Sequence, residues 1–160
     1  MSWQQALDGR ADFVAAVQQS VRLALAQRSR TMVWADVDFA DWPLDDATML
    51  AVLTEWLRLP QRQWRLLAAE PERLRRRARF MALYGPWTHA IAVSAAAEED
   101  IASLPCLLVA EGAGRVEVLD TLRWRGQAGD DPVAMREGRE RLDALLQRST
   151  PALPYTPLGL

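Results

Sequence analysis

Hydrophobic residues recur along this chain with two periods, one typical of amphipathic helices and one typical of buried strands. Residues 12–28 repeat apolar side chains at spacings of three and four, which predicts a helix with one buried face. Residues 32–38 are β-branched and aromatic between turn-forming clusters, so we predict a strand there. A second helix, capped by Asp45 or Asp46, should end before Pro60, because proline disfavours a helical residue ahead of it. The apolar stripe of that helix comprises Met49, Leu50, Leu53, Trp56 and Leu57.

The strand and helix unit then repeats. Residues 63–69 predict a second strand, Pro71 suits the first turn of a further helix, and residues 89–95 predict a third strand. The strands are almost continuously apolar, which is typical of a parallel sheet covered by helices. The stripe of the further helix is expected at Leu74, Ala78, Met81 and Tyr84.

The last third of the chain breaks this rhythm. A loop of three small residues separates the apolar segments 104–111 and 115–119, and it is too short for a crossover helix, so we predict an antiparallel hairpin. An edge strand is expected at 122–125 and a helix at 130–148. The pattern therefore predicts an α/β fold with a mixed sheet, made of a β-α-β-α-β core plus an antiparallel hairpin and flanked by helices.

A length of 160 residues, half of them hydrophobic, suits one domain. We divide it into an N-terminal helix (1–30), a strand and helix core (31–125), a C-terminal helix (130–148) and an extended tail (149–160). Neither a signal peptide nor an apolar run long enough to span a membrane is evident, so we expect a cytoplasmic protein that does not contact a membrane.

Composition restricts the chemistry. All 19 basic residues are arginine, against 21 acidic residues, and there is one histidine and one cysteine. The near balance of charge gives no global attraction for nucleic acid. Arginine stays protonated and rarely acts as a base or nucleophile, and a lone cysteine forms no internal disulfide. We therefore predict no catalytic residue, no cofactor and no metal.

Three phrases in the chain carry a resemblance to a known family. Residues 34–46 read Trp-Ala-Asp-Val-Asp-Phe-Ala-Asp-Trp-Pro-Leu-Asp-Asp, residues 66–71 form a Leu-Leu-Ala-Ala-Glu-Pro turn, and the proline-rich residues 149–160 end in Leu-Gly-Leu. Together they resemble an uncharacterised proteobacterial family with a phospholipase D-like fold, whose members occur alone or C-terminal to a GNAT acetyltransferase domain. The order of predicted elements is likewise similar to one half of the phospholipase D fold.

The resemblance implies a fold whose usual chemistry is missing. The phospholipase D superfamily carries a His-x-Lys-x4-Asp motif on its hairpin strand. If Glu111 takes the place of the aspartate, Leu104 and Cys106 fall at the histidine and lysine positions. Anchoring the motif on His89 fails as well, since the chain contains no lysine.

The resemblance also implies partners. Halves of the superfamily fold pair about a two-fold axis, and single-half members do so as homodimers, so we expect a homodimer. The acetyltransferase fusions suggest an acetyltransferase as a possible protein partner. Trp42, in a turn, and Trp124, beside two arginines, are candidates for a partner surface, because tryptophan and arginine are enriched at interfaces.

Two lone side chains have a chemical and a structural interpretation. His89 would act as a general base, or it is simply hydrogen-bonded at the start of the third strand. Cys106 would act as a nucleophile only if a nearby positive group stabilised its thiolate, whereas its leucine-rich surroundings favour a place in the core. We favour the structural interpretation for both.

Two charged clusters are candidate ligand sites at the carboxyl ends of the strands. Asp36, Asp38 and Asp41 would suit a divalent cation, although helix capping and turn formation explain much of this acidic turn. Arg73 and Arg76, in a cluster of five arginines, would suit a nucleotide or phosphosugar-like anion, or they form a solvated helix face. The leading hypothesis is a catalytically silent module for protein interaction or self-association, and the alternative is binding of such an anion or cation.

Overall fold

The computed structural model describes residues 2–155, and its strands form one mixed sheet. The strands are β1 (Gln4–Asp8), β2 (Thr31–Asp36), β3 (Gln63–Ala68), β4 (Ile91–Ala95), β5 (Cys106–Ala110), β6 (Gly114–Asp120), β7 (Arg125–Gly129) and β8 (Thr150–Pro151). The helices are α1 (Arg10–Ala26), α2 (Ala47–Leu57), α3 (Ala78–Tyr84) and α4 (Pro132–Gln147), with 3₁₀ helices at Pro71–Arg76, Gly85–Trp87 and Glu98–Ser103. The predicted fold class, a mixed sheet flanked by helices, is confirmed.

The sheet has the order β1-β7-β6-β5-β2-β3-β4-β8. Strands β2, β3 and β4 are parallel, while β5 and β6 form the predicted antiparallel hairpin beside β2. The strands β2, β3, β4 and β6 therefore all end on the same side of the sheet. We call this row of strand ends the carboxyl edge, as distinct from the outermost strands, and it comprises residues 36–38, 69–70, 96–105 and 119–125. The opposite edge, where β2, β3 and β4 begin, is the amino edge, with residues 28–30, 58–62 and 87–90.

Helices cover both faces of the sheet. One face carries α1, α2 and α3, and the largest fully buried side chains there are tryptophans and phenylalanines. On the other face, Leu142 and Leu145 of α4 pack on Val33, Leu67 and neighbouring apolar side chains of the central strands. No helix within residues 2–155 is long and apolar enough to cross a membrane.

The structure corrects the N-terminal and edge-strand predictions. Residues 1–30 were expected to be helical, but β1 precedes α1 and pairs with β7. Only Leu7 of β1 is buried, so the segment lacks the apolar alternation that signals a strand. The edge strand expected at 122–125 begins at Arg125 instead, and it lies between β6 and β1 rather than at an edge.

Three further boundaries differ from expectation. The helix expected after Pro71 is a 3₁₀ helix and then α3, separated at Arg77, with Ala78 exposed and Phe80 buried. The third strand begins at Ile91 rather than at residue 89, and the hairpin strand at Cys106 rather than at 104. In the tail, β8 pairs with β4, whereas residues 156–160, including the Leu-Gly-Leu ending, lie outside the described residues.

Candidate functional site at the carboxyl edge

The acidic turn (residues 36–46) and the arginine cluster (residues 73–79) meet at the carboxyl edge, where their charges neutralise each other. The Arg73 Nη1 atom lies 2.8 Å from Asp38 Oδ2, and Arg77 Nε lies 2.9 Å from Asp45 Oδ2. The partners are 35 and 32 residues apart in sequence, but the turns after β2 and β3 are neighbours because the two strands are parallel. Carboxylates held by arginine are poor cation ligands, and the same arginines are poor anion ligands.

The remaining carboxylates of the turn also have partners. Asp46 caps α2 by accepting from the Thr48 backbone N–H at 3.0 Å, and it accepts from the Gln18 side chain at 2.8 Å. Asp41 forms an exposed ion pair with Arg10 at 3.2 Å. Within residues 2–155, no group of three or more histidine, cysteine or acidic side chains is arranged to hold a metal ion.

Asp36, like Asp46, has no arginine partner among the described residues, and its carboxylate accepts from the Phe39 backbone N–H at 2.9 Å. It lies at the end of β2 beside Cys106, which begins β5. Burial raises the pKa of Asp36, although the backbone N–H groups of Phe39 and Val37 oppose this shift. Burial, and then the charge of Asp36, strongly raise the pKa of the Cys106 thiol. Cys106 is therefore a buried neutral thiol and not an activated nucleophile.

The raised pKa of Asp36 gives the first testable prediction. A carboxyl group whose folded pKa exceeds its unfolded pKa destabilises the protein above the folded pKa, and the penalty disappears as the pH falls through that value. Asp36→Asn keeps an acceptor for the Phe39 N–H without the charge. We expect a higher Tm than wild type at neutral pH, with a difference that shrinks on acidification, measured by calorimetry. Asp41→Asn, at an exposed ion pair, is the control without such a gain, and a lower Tm for Asp36→Asn at neutral pH would contradict the prediction.

The two tryptophans expected at a partner surface differ in location. Trp42 is only 1% exposed and its ring stacks on Trp34 with centroids 5.0 Å apart, so its assignment to the surface was wrong. It fills the core because the turn after β2 folds back under α1. Trp124 is half-buried at the carboxyl edge, where its ring lies 4.9 Å from that of Phe13.

His89 lies far from these residues in the fold. It is exposed at the amino edge, two residues before β4 begins, so the expected place at the start of a strand was wrong. Its ring stacks on Trp87 with centroids 5.4 Å apart. Of the remaining candidates, Arg76 is exposed in its 3₁₀ helix and forms no ion pair within the described residues.

The positions compared with the superfamily motif do not assemble into a site. Leu104 is half-buried and Cys106 buried at the carboxyl edge, whereas Glu111 follows the other end of β5. There Glu111 accepts a hydrogen bond from the Thr31 hydroxyl at 3.0 Å. Sequence reasoning missed four exposed apolar side chains at the carboxyl edge: Val37, Ile101, Leu119 and Leu122. Val37, Ile101 and Leu122 belong to turns and a 3₁₀ helix, where no periodic signal exists, and Leu119 lies near the end of β6.

The fold formed by this sheet and its helices is phospholipase D-like. The solved structure of Nuc from Salmonella typhimurium, a phospholipase D family member, matches with a TM-score of 0.54, covering 96% of this chain and 100% of that chain. The sequence identity is 8%, so the similarity shows the fold alone. No protein-family model and no curated protein sequence matches the chain.

Proposed function

We propose that this protein is a catalytically silent phospholipase D-like module that forms a homodimer through its carboxyl edge. One observation carries the proposal: four of the six exposed large apolar side chains among the described residues lie at that edge. They are Val37, Ile101, Leu119 and Leu122, here called the apolar patch. Leu122 is 92% exposed and Leu119 is 76% exposed, more than any other large apolar side chain in residues 2–155.

The strand order makes the apolar patch continuous enough to serve as an interface. Leu119 is the next-to-last residue of β6, Ile101 precedes β5 and Val37 follows β2, and these three strands are neighbours in the sheet. Adjacent strands lie about 4.8 Å apart, so the chain at Val37 and the chain at Leu119 are roughly 10 Å apart across the sheet, and Ile101 lies in the segment that leads into the strand between them. Singly exposed apolar residues need no explanation, but a group that shares one edge indicates an interaction site.

The charges around the apolar patch suit the rim of an interface. Asp38 is bound by Arg73, and Asp120 by Arg123, so these two carboxylates would not enter the interface as isolated charges. Trp124 is half-buried in the same turn as Leu122 and adds an aromatic anchor.

A second copy of the chain is the partner that fits best. A two-fold interface places the same surface of each copy in contact, and the pairing of Asp38 and Asp120 with arginines reduces like-charge repulsion within it. The phospholipase D-like fold supports this choice, since single-half members of the superfamily pair as homodimers. Catalytic silence rests on the absence of lysine, on the distance of His89 from this edge and on the neutral thiol of Cys106.

Light scattering after gel filtration tests the dimer. We expect a wild-type dimer, and a monomer for the double variant Leu119→Glu and Leu122→Glu, since two charges would be buried without partners in each half of the interface. Val133→Glu is the matched control, because Val133 is 51% exposed at the start of α4, near the opposite edge, and should leave the dimer intact.

The outcomes that contradict each half of the proposal are distinct. A wild-type monomer at the highest soluble concentration would refute self-association. A dimer that survives the double leucine substitution would refute the carboxyl edge as the interface. Hydrolysis of a phosphodiester such as bis(p-nitrophenyl) phosphate by the purified protein would refute catalytic silence.

A further inference from the structure

The amino edge differs from the carboxyl edge because its arginines, in the part of the chain that the structure describes, are not paired with carboxylates. Within the described residues, four arginines there have no carboxylate partner: Arg28, Arg30, Arg58 and Arg62. They line two adjoining clefts of about 480 and 370 Å³, which share Gln61 and Arg62. No acidic residue lines either cleft. A protein with a net charge of −2 thus keeps a strongly positive surface at one edge.

Arg62 lies at the centre of this surface and is more than nine-tenths buried. Its Nη1 and Nη2 atoms donate to the carbonyls of Pro60 and Arg28, and its Nε–H is buried with no acceptor in residues 2–155. Burial, and then the charges of Arg28 and Arg30, lower the pKa of Arg62. A buried cation is costly to keep, and the charge of a bound anion nearby would offset that cost.

Helix dipoles do not account for the arginines. Helices α1 and α2 both end at the amino edge, and a helix C-terminus carries about half a negative charge. Two such ends supply roughly one negative charge and Glu111, at the same edge, supplies another, so roughly two of the four guanidinium charges remain uncompensated. Interaction with the helix C-termini therefore does not account for all of the exposed arginines, which are Arg28, Arg30 and Arg58.

An aromatic platform adjoins the larger cleft. The rings of Trp87 and His89 are stacked 5.4 Å apart with an interplanar angle of 30°, and both residues line the cleft beside Arg58. His89 is exposed, so the platform is accessible to a planar ring from solvent. Indole and imidazole faces suit stacking with a nucleobase.

From this juxtaposition we infer that the amino edge binds a nucleoside diphosphate. The phosphates would lie among Arg28, Arg30 and Arg62 in the smaller cleft, and the base would stack beside Trp87 and His89 in the larger one. Guanidinium groups pair with phosphate through two parallel hydrogen bonds, which a diphosphate can accept from more than one arginine. The site is independent of the proposed dimer interface, since it lies at the opposite edge of the sheet.

Isothermal titration calorimetry of the full chain with ADP, pyrophosphate and adenosine tests the inference. We expect ADP to bind more tightly than pyrophosphate, adenosine to bind most weakly, and the affinity for ADP to fall with added salt. The double variant Arg28→Gln and Arg30→Gln should weaken ADP binding by about tenfold or more. The matched control, Arg76→Gln with Arg136→Gln, removes the same charge from exposed positions outside the clefts and should bind ADP like wild type.

Circular dichroism establishes that each variant is folded before titration, so that loss of binding is not loss of structure. Trp87→Ala should reduce the affinity for ADP to that for pyrophosphate. The inference is overturned if wild type does not bind ADP, if the control double variant loses as much affinity as the cleft variant, or if ADP and pyrophosphate bind equally well. Tighter binding of a single-stranded DNA oligonucleotide than of ADP would also overturn it in favour of a nucleic-acid surface.

Discussion

Replacing Trp34 with alanine is expected to lower the free energy of unfolding by about 3–5 kcal/mol, the range typical of removing a large buried aromatic side chain. Trp34 lies in the central strand β2 and is fully buried. Its ring lies 5.0 Å from that of Trp42 and 4.8 Å from that of Trp64, so the substitution opens a cavity within an aromatic cluster. Urea denaturation followed by circular dichroism measures the loss.

Two phenylalanine variants separate packing from hydrogen bonding in this core. The Trp34 Nε1 atom has no hydrogen-bond acceptor within residues 2–155, so Trp34→Phe should cost only about 1–2 kcal/mol. Trp56 Nε1 donates to the Ser29 carbonyl at 2.7 Å. Trp56→Phe should therefore lower the free energy of unfolding by about 1–3 kcal/mol more than Trp34→Phe does, because it leaves that carbonyl unpaired.

The exposed Glu55 on α2 offers a control, since Glu55→Ala should change the free energy of unfolding by no more than about 0.5 kcal/mol. Equal losses for Trp34→Phe and Trp34→Ala would contradict the prediction. That result would mean that the indole N–H of Trp34, rather than its volume, stabilises the fold.

The fold class could be predicted because the central elements carry strong periodic signals. Helix α2 has apolar residues at the spacing of one helix face, and all five residues of its predicted stripe are buried. Asp46 caps it as expected, with its side chain accepting from the Thr48 N–H. Strand β2 is apolar over most of its length because helices cover both faces of the sheet at that point.

The peripheral elements could not be predicted because they bury few side chains or depend on contacts with distant parts of the chain. Strand β1 lies at the edge of the sheet and buries only Leu7, so its sequence is as polar as that of a loop. The segment after Pro71 has helical spacing throughout, but the chain turns at Arg77, where φ is −94° and ψ is 85°. That turn depends on contacts with a distant loop, which local spacing cannot reveal.

The candidate site was the hardest part to predict, because it depends on which charges meet. The sequence presents an acidic turn and a basic cluster as two separate clusters, and each then suggests a ligand. In the fold the clusters are adjacent, and Asp38 and Asp45 are bound by Arg73 and Arg77. The arginines that keep their charge available, such as Arg28 and Arg62, are scattered in sequence and meet only when the loops before β2 and β3 pack together.

Arg77 holds the turn after β2 in place. Its guanidinium donates to the carbonyls of Phe39, Ala40 and Trp42 at 2.8, 3.0 and 2.7 Å, and to the Asp45 carboxylate. Phe39 has a positive φ of 60°, a left-handed conformation that costs a non-glycine residue about 1–2 kcal/mol. The hydrogen bonds of Arg77 offset this strain and keep Trp42 in the core.

Arg77→Ala is therefore expected to lower the free energy of unfolding by about 2–4 kcal/mol, since hydrogen bonds to a charged group are strong and three carbonyls lose their donor. Arg77→Lys should recover less than half of this loss, because an ammonium group cannot span the three carbonyls as a planar guanidinium does. Hydrogen exchange should accelerate at the Trp42 amide, which is bonded within the turn. Arg76→Ala, one residue away and exposed, is the control expected to match wild type. Unchanged exchange at Trp42 in Arg77→Ala would mean that core packing of Trp42 alone holds the turn.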